Sequence, residues 1–148
     1  MITKILVPTD GSKPSKRSLQ YAIDFAKKMR ASLMLLSVID KSLFLRQSVP
    51  VRSKTSKVVE PIEDYLKRGA DAVLKDAEGL CKQHKVQCRK IIKTGHPVEE
   101  IIKEAKRSKV DIIILGSHGK TAITAAIVGS VTIGVINNVR KIPVLIVR

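Results

Sequence analysis

Tryptophan is absent from the 148-residue chain, and aromatic residues make up 3% of it. A core must then come from Ile, Val, Leu and Ala, and platforms for stacking unpaired bases are nearly lacking. Cysteine is scarce as well. Cys81 and Cys88 are the only two, with no CxxC and no second pair to complete a metal site. That excludes a disulfide scaffold and a cysteine-rich zinc site. No apolar run approaches the roughly 18 residues of a membrane span. The opening MITKILVPTD enters an apolar run at once, without the long apolar core and small-residue cleavage site of a secretory signal. The expectation is a cytoplasmic protein in a reducing compartment, with no membrane association.

Acidic residues are the remaining shortage. Only 13 Asp and Glu face 28 Lys and Arg, a net charge of +15 at pH 7. One reading is affinity for a polyanion: nucleic acid, acidic membrane or acidic protein. The other is a Lys-rich solvated surface laced with ion pairs. The cations are spread along the chain rather than clustered, which makes nucleic acid a possible but unfavoured partner.

What is present is a single globular domain over residues 1–148, with 44% hydrophobic and 28% charged residues. Short apolar runs alternate with helical periodicities. Residues 2–8 (ITKILVP) form a short apolar run, 33–39 (LMLLSVI) read as a buried-type strand, 110–115 (VDIIIL) as a central strand buried on both faces, 86–92 (VQCRKII) as an edge strand and 143–147 (PVLIV) as a final strand near a sheet edge. Helical spacing joins Leu19, Ala22, Ile23, Ala26 and Met29, with Pro14 in the first turn. It recurs from Ile62 through Tyr65, Leu66, Val73 and Ala77 to Leu80, and again at Val98, Ile101, Ile102 and Ala105 after Pro97. Residues 131–139 are β-branched and contain Gly134, yet Val131, Val135, Ile136 and Val139 keep helical spacing, with Ser130 placed to cap.

This alternation predicts an α/β domain, a single doubly wound, mainly parallel five-stranded sheet with helices on both faces. The flavodoxin-like order 2-1-3-4-5 and the related Rossmann-like 3-2-1-4-5 both fit, and the second is expected here. In either, ligands bind at the carboxyl ends of the strands where strand order reverses. That directs attention to Asp10 and Gly116.

The segment after the fourth strand reads Gly116-Ser117-His118-Gly119, then nine residues, then Gly129-Ser130. Glycines at 116 and 119 would let backbone N–H groups approach an anion, and Gly129-Ser130 precedes a helix whose N-terminus offers unpaired donors. Two other phosphate loops are excluded. Gly119-Lys120-Thr121 resembles the end of a P-loop, but Ile114 stands where that motif needs glycine. The first turn carries Thr9-Asp10-Gly11-Ser12 rather than GxGxxG.

The full Gly-x2-Gly-x9-Gly-Ser spacing, closing on PVLIV, resembles the nucleotide-binding signature of universal stress proteins. So do the opening KILVPTDGS, Gly95-His96-Pro97 and VDIIILGSHGK, so the resemblance covers essentially the whole chain. It implies ATP binding, with Mg²⁺ brought by the phosphates rather than held in a protein cage. By position, Asp10 would contact the adenosine part, with Pro8 and Thr9 beside it and Val38 packed on the adenine. Leu115 and Gly116 would border the nucleoside. His118, Gly119, Gly129, Ser130 and Val131 would hold the phosphates, mainly through backbone groups. The resemblance also implies a homodimer paired through residues 143–147.

Each residue has a plainer reading. Asp10 could serve the turn alone, Val38 could be core, His118 could face solvent, and the glycines could be turn glycines. Residues 40–57 lack a clear period and could form a lid carrying Lys41, Arg46, Arg52 or Lys54, or a disordered basic loop. The loop offers no carboxylate or Gln to orient water, so slow or absent hydrolysis is expected. A dimeric ATP-dependent stress or signalling switch is the leading function. A partner-activated ATPase or autophosphorylating phosphotransferase, and a basic polyanion-binding protein, are the alternatives.

Overall fold

The computed structural model describes residues 1–42, 48–50, 59–118 and 128–148. The chain runs β1 (Lys4–Pro8), α1 (Lys13–Met29), β2 (Ser32–Asp40), β3 (Ser48–Pro50), β4 (Val59–Pro61), α2 (Ile62–Gln83), β5 (Cys88–Gly95), α3 (Pro97–Arg107), β6 (Ile112–Gly116), α4 (Ser130–Asn138) and β7 (Val144–Val147). The main sheet has the order β5-β2-β1-β6-β7, and every pairing in it is parallel. Counting its five strands along the chain gives 3-2-1-4-5, as expected.

Strand alternation sorts the core into two layers. Ile5, Val7, Leu33, Leu35, Ile112 and Ile114 face α1 and α2, where Leu19, Ile23, Leu74 and Cys81 meet them. Leu6, Met34, Leu36, Ile113 and Leu115 face the other way, onto Ile101 and Ala105 of α3 and Val135 of α4. Each fully buried Leu or Ile contributes roughly 1.5–3 kcal/mol, which is how a nearly aromatic-free core suffices. Cys81 is part of that core, and burial with the adjacent Cys88 pushes its thiol up to about 12. Such a thiol is an inert packing group. Among the described residues, no helix is long and apolar enough to cross a membrane.

Four details depart from expectation. β3, inside the aperiodic stretch, and β4, just after it, form a small antiparallel pair, Ser48 opposite Pro61. Strands of three residues are too short to show a period of two. The edge strand β5 extends to Gly95, in register with β2 from Leu33–Cys88 to Asp40–Gly95. Backbone pairing carries it past the last apolar residue, since an edge strand needs no buried side chains there. The α4 cap is Gly129, without a side-chain cap hydrogen bond, and Ser130 is the first helical residue. Gly134 is explained by close approach: a Cβ there would lie 2.6 Å from Val98 Cγ2 on α3. Most of residues 40–57, including Arg46, Arg52 and Lys54, lies outside the described residues.

Helices α1, α2 and α3 end alike. Arg30, Lys85 and Lys109 adopt φ of 56°, 58° and 51°. The next N–H in each case bonds back five residues, Ala31 to Ala26, Val86 to Cys81 and Val110 to Ala105. This is a Schellman-type stop, in which glycine is the usual occupant because the left-handed region costs other residues roughly 1–2 kcal/mol.

At the start of β6, Asp111 Oδ2 accepts the backbone N–H groups of Thr3 and Lys4 at 2.8 and 2.9 Å, tying the N-terminus to the sheet. Those donors, Thr3 first, hold its carboxyl below the ordinary carboxylate value. A depressed folded-state pKa means stability contributed above the unfolded pKa, near 3.9, and lost as pH falls through the folded one. Asp111→Ala is therefore expected to melt at a lower temperature than the wild type at neutral pH. The gap should narrow in melts near pH 3, below the ordinary Asp value of about 3.9. A gap of equal size at both pH values would contradict this account.

Candidate functional site

At the carboxyl ends of β1 and β6 the chain departs in opposite directions, and a cleft of about 150 Å³ opens there. Its floor and walls are apolar: Pro8, Leu36, Val38 and Leu115 from the strand ends, Pro97 and Ile101 from α3, and Val131 from α4. Thr9, Asp10, Ser15, His118 and Thr132 supply the polar groups. The size suits a planar base rather than a whole nucleotide, and the mixture of apolar walls with few polar groups is that of a small-molecule site. A larger cavity of about 570 Å³ adjoins it, with Asp10 and Val38 lining both. Tyr65, Arg68 and Val73 of α2 face that second space.

Local chemistry fixes the polar groups. Asp10 Oδ1 accepts the N–H of Ser12 at 2.9 Å, so the carboxylate shapes the turn as well as the rim. Ser12 caps α1, its Oγ accepting the N–H of Ser15 at 3.3 Å. Thr9 Oγ1 donates to Ser15 Oγ at 3.2 Å, and Ser15 Oγ donates to the Ser12 carbonyl at 3.0 Å. On the other side, Ser117 Oγ and His118 Nδ1 lie 2.8 Å apart, which orients the imidazole. Thr132 Oγ1 donates to the Gly116 carbonyl at 2.8 Å and fastens α4 to the end of β6.

Of the residues singled out from sequence, Pro8, Thr9, Asp10, Val38, Leu115, Gly116, His118 and Val131 share the cleft. Gly119 lies outside the described residues. Gly129 and Ser130 flank the cleft at the N-terminus of α4 without lining it. The Gly129 N–H donates to the Ser117 carbonyl at 2.7 Å, so it closes the loop and is not a spare donor. Its φ of −63° is an ordinary one. The first intrahelical bond runs from Ile133 N to the Gly129 carbonyl at 3.0 Å. The N–H groups of Ser130, Val131 and Thr132 are therefore the donors left at the helix start. Ser15, Leu36, Pro97, Ile101 and Thr132 went unnoticed in sequence, because each reads as ordinary helix or strand. Ser130-Val131-Thr132 was the one usable signal, two hydroxyls in a first helical turn.

Gly116 was expected to let an anion approach. The structure gives a different reason: a Cβ there would stand 3.0 Å from the Pro14 carbonyl oxygen and 3.2 Å from its carbon. The end of β6 touches the first turn of α1, and backbone cannot swing aside as a flexible side chain can.

Fold and cleft together define a doubly wound α/β domain with a small, largely apolar cleft at its topological switch point. The Universal stress protein family model matches residues 1–148, and the chain belongs to that family. It is 35% identical to Universal stress protein MJ0577 of Methanocaldococcus jannaschii, covering 100% of this chain and 96% of that protein. The solved structure of MJ0577 superposes with a TM-score of 0.69 over 99% of this chain and 96% of that one. MJ0531 of the same organism is 32% identical, over 98% of this chain and 81% of that protein. A universal stress protein solved in complex with cAMP shares the fold, with a TM-score of 0.71 at 24% identity, covering 99% of this chain and 97% of that one.

Gly116→Ala is expected to lower stability by about 1–3 kcal/mol, the cost of forcing a methyl into packed backbone. Chemical denaturation measures it. Unchanged stability would show that the contact with Pro14 relaxes freely.

Proposed function

We propose that the chain is an ATP-binding universal stress protein that works as a dimeric switch with slow or no hydrolysis. One observation carries this reading: an apolar slot between Val38 and Leu115, with Asp10 at its rim, opens beside the free first-turn N–H groups of α4. A purine fits the slot, Asp10 is placed for the ribose hydroxyls, and the N-terminus of α4 faces the side where phosphates would lie. The Ser130 hydroxyl is exposed at that terminus. The complete glycine spacing and membership of the universal stress protein family support the same assignment.

Among the described residues, Asp10 is the only carboxylate lining the slot, and no group of three His, Cys, Asp or Glu is arranged to hold a metal. Mg²⁺ would therefore arrive on the phosphates, where it neutralises their charge. Asp10 is committed to the turn through Ser12, which leaves no evident carboxylate to align water. Calorimetry with ATP and Mg²⁺ tests the reading. Binding is expected, with turnover well below the roughly 1–100 s⁻¹ of kinases. Val131→Trp, which fills the slot, is expected to abolish the signal without unfolding the protein. Absence of binding at millimolar ATP would overturn the assignment, and rapid turnover would replace the switch with an ATPase.

The dimer belongs to the same reading. β7 is a sheet edge of four apolar residues, each only half-buried, and Ile133 and Ile136 of α4 are 45% and 46% exposed. An apolar, unpaired edge invites pairing with another strand, and a two-fold antiparallel partner covers both edges at once. Light scattering is expected to give a dimer mass, and Leu145→Pro, which deletes a ladder donor, a monomer or insoluble protein. A monomer mass for the unmodified chain would refute the pairing.

A further inference from the structure

At the amino end of the sheet, opposite the cleft, every connection from helix to strand carries an exposed cation: Arg30, Lys85, Lys109, and the pair Arg140 and Lys141. Two grooves there, of about 490 and 400 Å³, meet at Ser32. The first is lined by Lys27, Arg30, His84 and Lys85, the second by Lys4, Arg89, Arg107 and Lys109. We propose that this basic end is a docking surface for double-helical nucleic acid, bound through its phosphate backbone without regard to sequence.

Three observations carry it. First, the cations are available. Lys27, Arg30, Lys85, Arg89 and Lys109 are exposed, and no ion pair holds any of them among the described residues. The carboxylates at this end are consumed locally: Asp111 by the Thr3 and Lys4 N–H groups, Glu104 by Arg107 and Ser108.

Second, chain termination does not account for Arg30, Lys85 and Lys109. Lys27 and Lys28, Lys82, and Lys106 and Arg107 already stand in the last turns of α1, α2 and α3, where they meet the helix dipoles. The three left-handed stops want glycine or asparagine, and all three hold a cation instead.

Third, the chemistry selects the partner. Neither groove is lined by Phe, Tyr or Trp, and the single imidazole of His84 is a small platform for stacking single strands. Among the described residues, the exposed large apolar side chains at this end are Met1, Met29 and Ile136, which stand on three separate segments rather than in one patch that could seat in a bilayer or anchor a protein interface. Lysine is also depleted in protein interfaces. A rigid backbone with closely spaced phosphates needs only the cations.

The test is fluorescence anisotropy with labelled duplex DNA of arbitrary sequence, and in parallel duplex RNA, across a salt series. If the five available cations each neutralise one phosphate, log K is expected to fall with log salt at a slope of about −4 to −5. Combining Arg30→Asn, Lys85→Asn and Lys109→Asn keeps residues that tolerate the left-handed stop. That variant should melt cooperatively, lose about tenfold or more in affinity at low salt, and bind with a slope shallower by about 2–3. A charge-matched control, Lys13→Asn with Lys16→Asn and Lys67→Asn at the other end, should keep the wild-type slope. Binding of either duplex with this pattern supports the surface, and the two arms tell DNA from RNA. Equal losses in both triple variants would reduce the effect to net charge and overturn the proposal. So would capture by anionic lipid vesicles without duplex binding, or no binding of either duplex at low salt.

Discussion

Strand β1 must be buried on both faces and paired on both edges, and the rest of the architecture follows from that demand. Ile5, Leu6 and Val7 are wholly inaccessible, β2 lies along one edge, and β6 lies along the other. A chain that builds outward from β1 through β2 to β5 has to cross back to place β6. Right-handed crossovers then put α1 and α2 on one face and α3 and α4 on the other. The segments leaving β1 and β6 part company at the carboxyl end, and the cleft is the space they vacate. The position of the slot is thus a consequence of where the central, doubly paired strand had to go.

The same construction gives the molecule two unlike ends. All strands of the main sheet are parallel and each helix returns against them, so helix N-termini gather at the carboxyl end and C-termini at the amino end. One end presents unpaired N–H groups and partial positive charge, the other unpaired carbonyls and partial negative charge. Small anions are served at the first end by backbone. Positive side chains are stabilised at the second by the helix ends they sit on, so a basic surface forms there at little electrostatic cost. From a net charge that looks evenly spread along the sequence, folding gathers one group of exposed cations at the amino end.

Most of the fold could be read from the residues, and the reason is the double burial of the central strands. Runs such as ITKILVP and VDIIIL permit little else, and the helices between them carry clear periodicities. The strand order needed chirality as well as pattern. What escaped reading depends on tertiary contact. β3 and β4 are too short to show a period. Pro97, Ile101 and Thr132 enter the cleft only because α3 and α4 begin above it. Arg30, Lys85 and Lys109 looked like three scattered cations, since nothing local marks a left-handed stop when glycine is absent. Val38 and Leu115 were assigned to the slot through family likeness, and their apolar character alone would have left them in the core.

Two glycines of the signature have structural duties of their own. Gly116 is small because β6 ends against the Pro14 backbone, and Gly129 spends its N–H on the Ser117 carbonyl. Thr132 adds a third tie, from its hydroxyl to the Gly116 carbonyl. The two hydrogen bonds act on one thing, the point in space at which α4 begins. These ties hold the start of α4 to the end of β6, which brings a helix N-terminus beside the cleft. On the proposed reading, phosphates meet the N–H groups of residues 130–132, which belong to no glycine. That explains why spacing, rather than any single glycine, carries the specificity of the pattern. A change of one residue in loop length would leave every glycine in place and still move the donors.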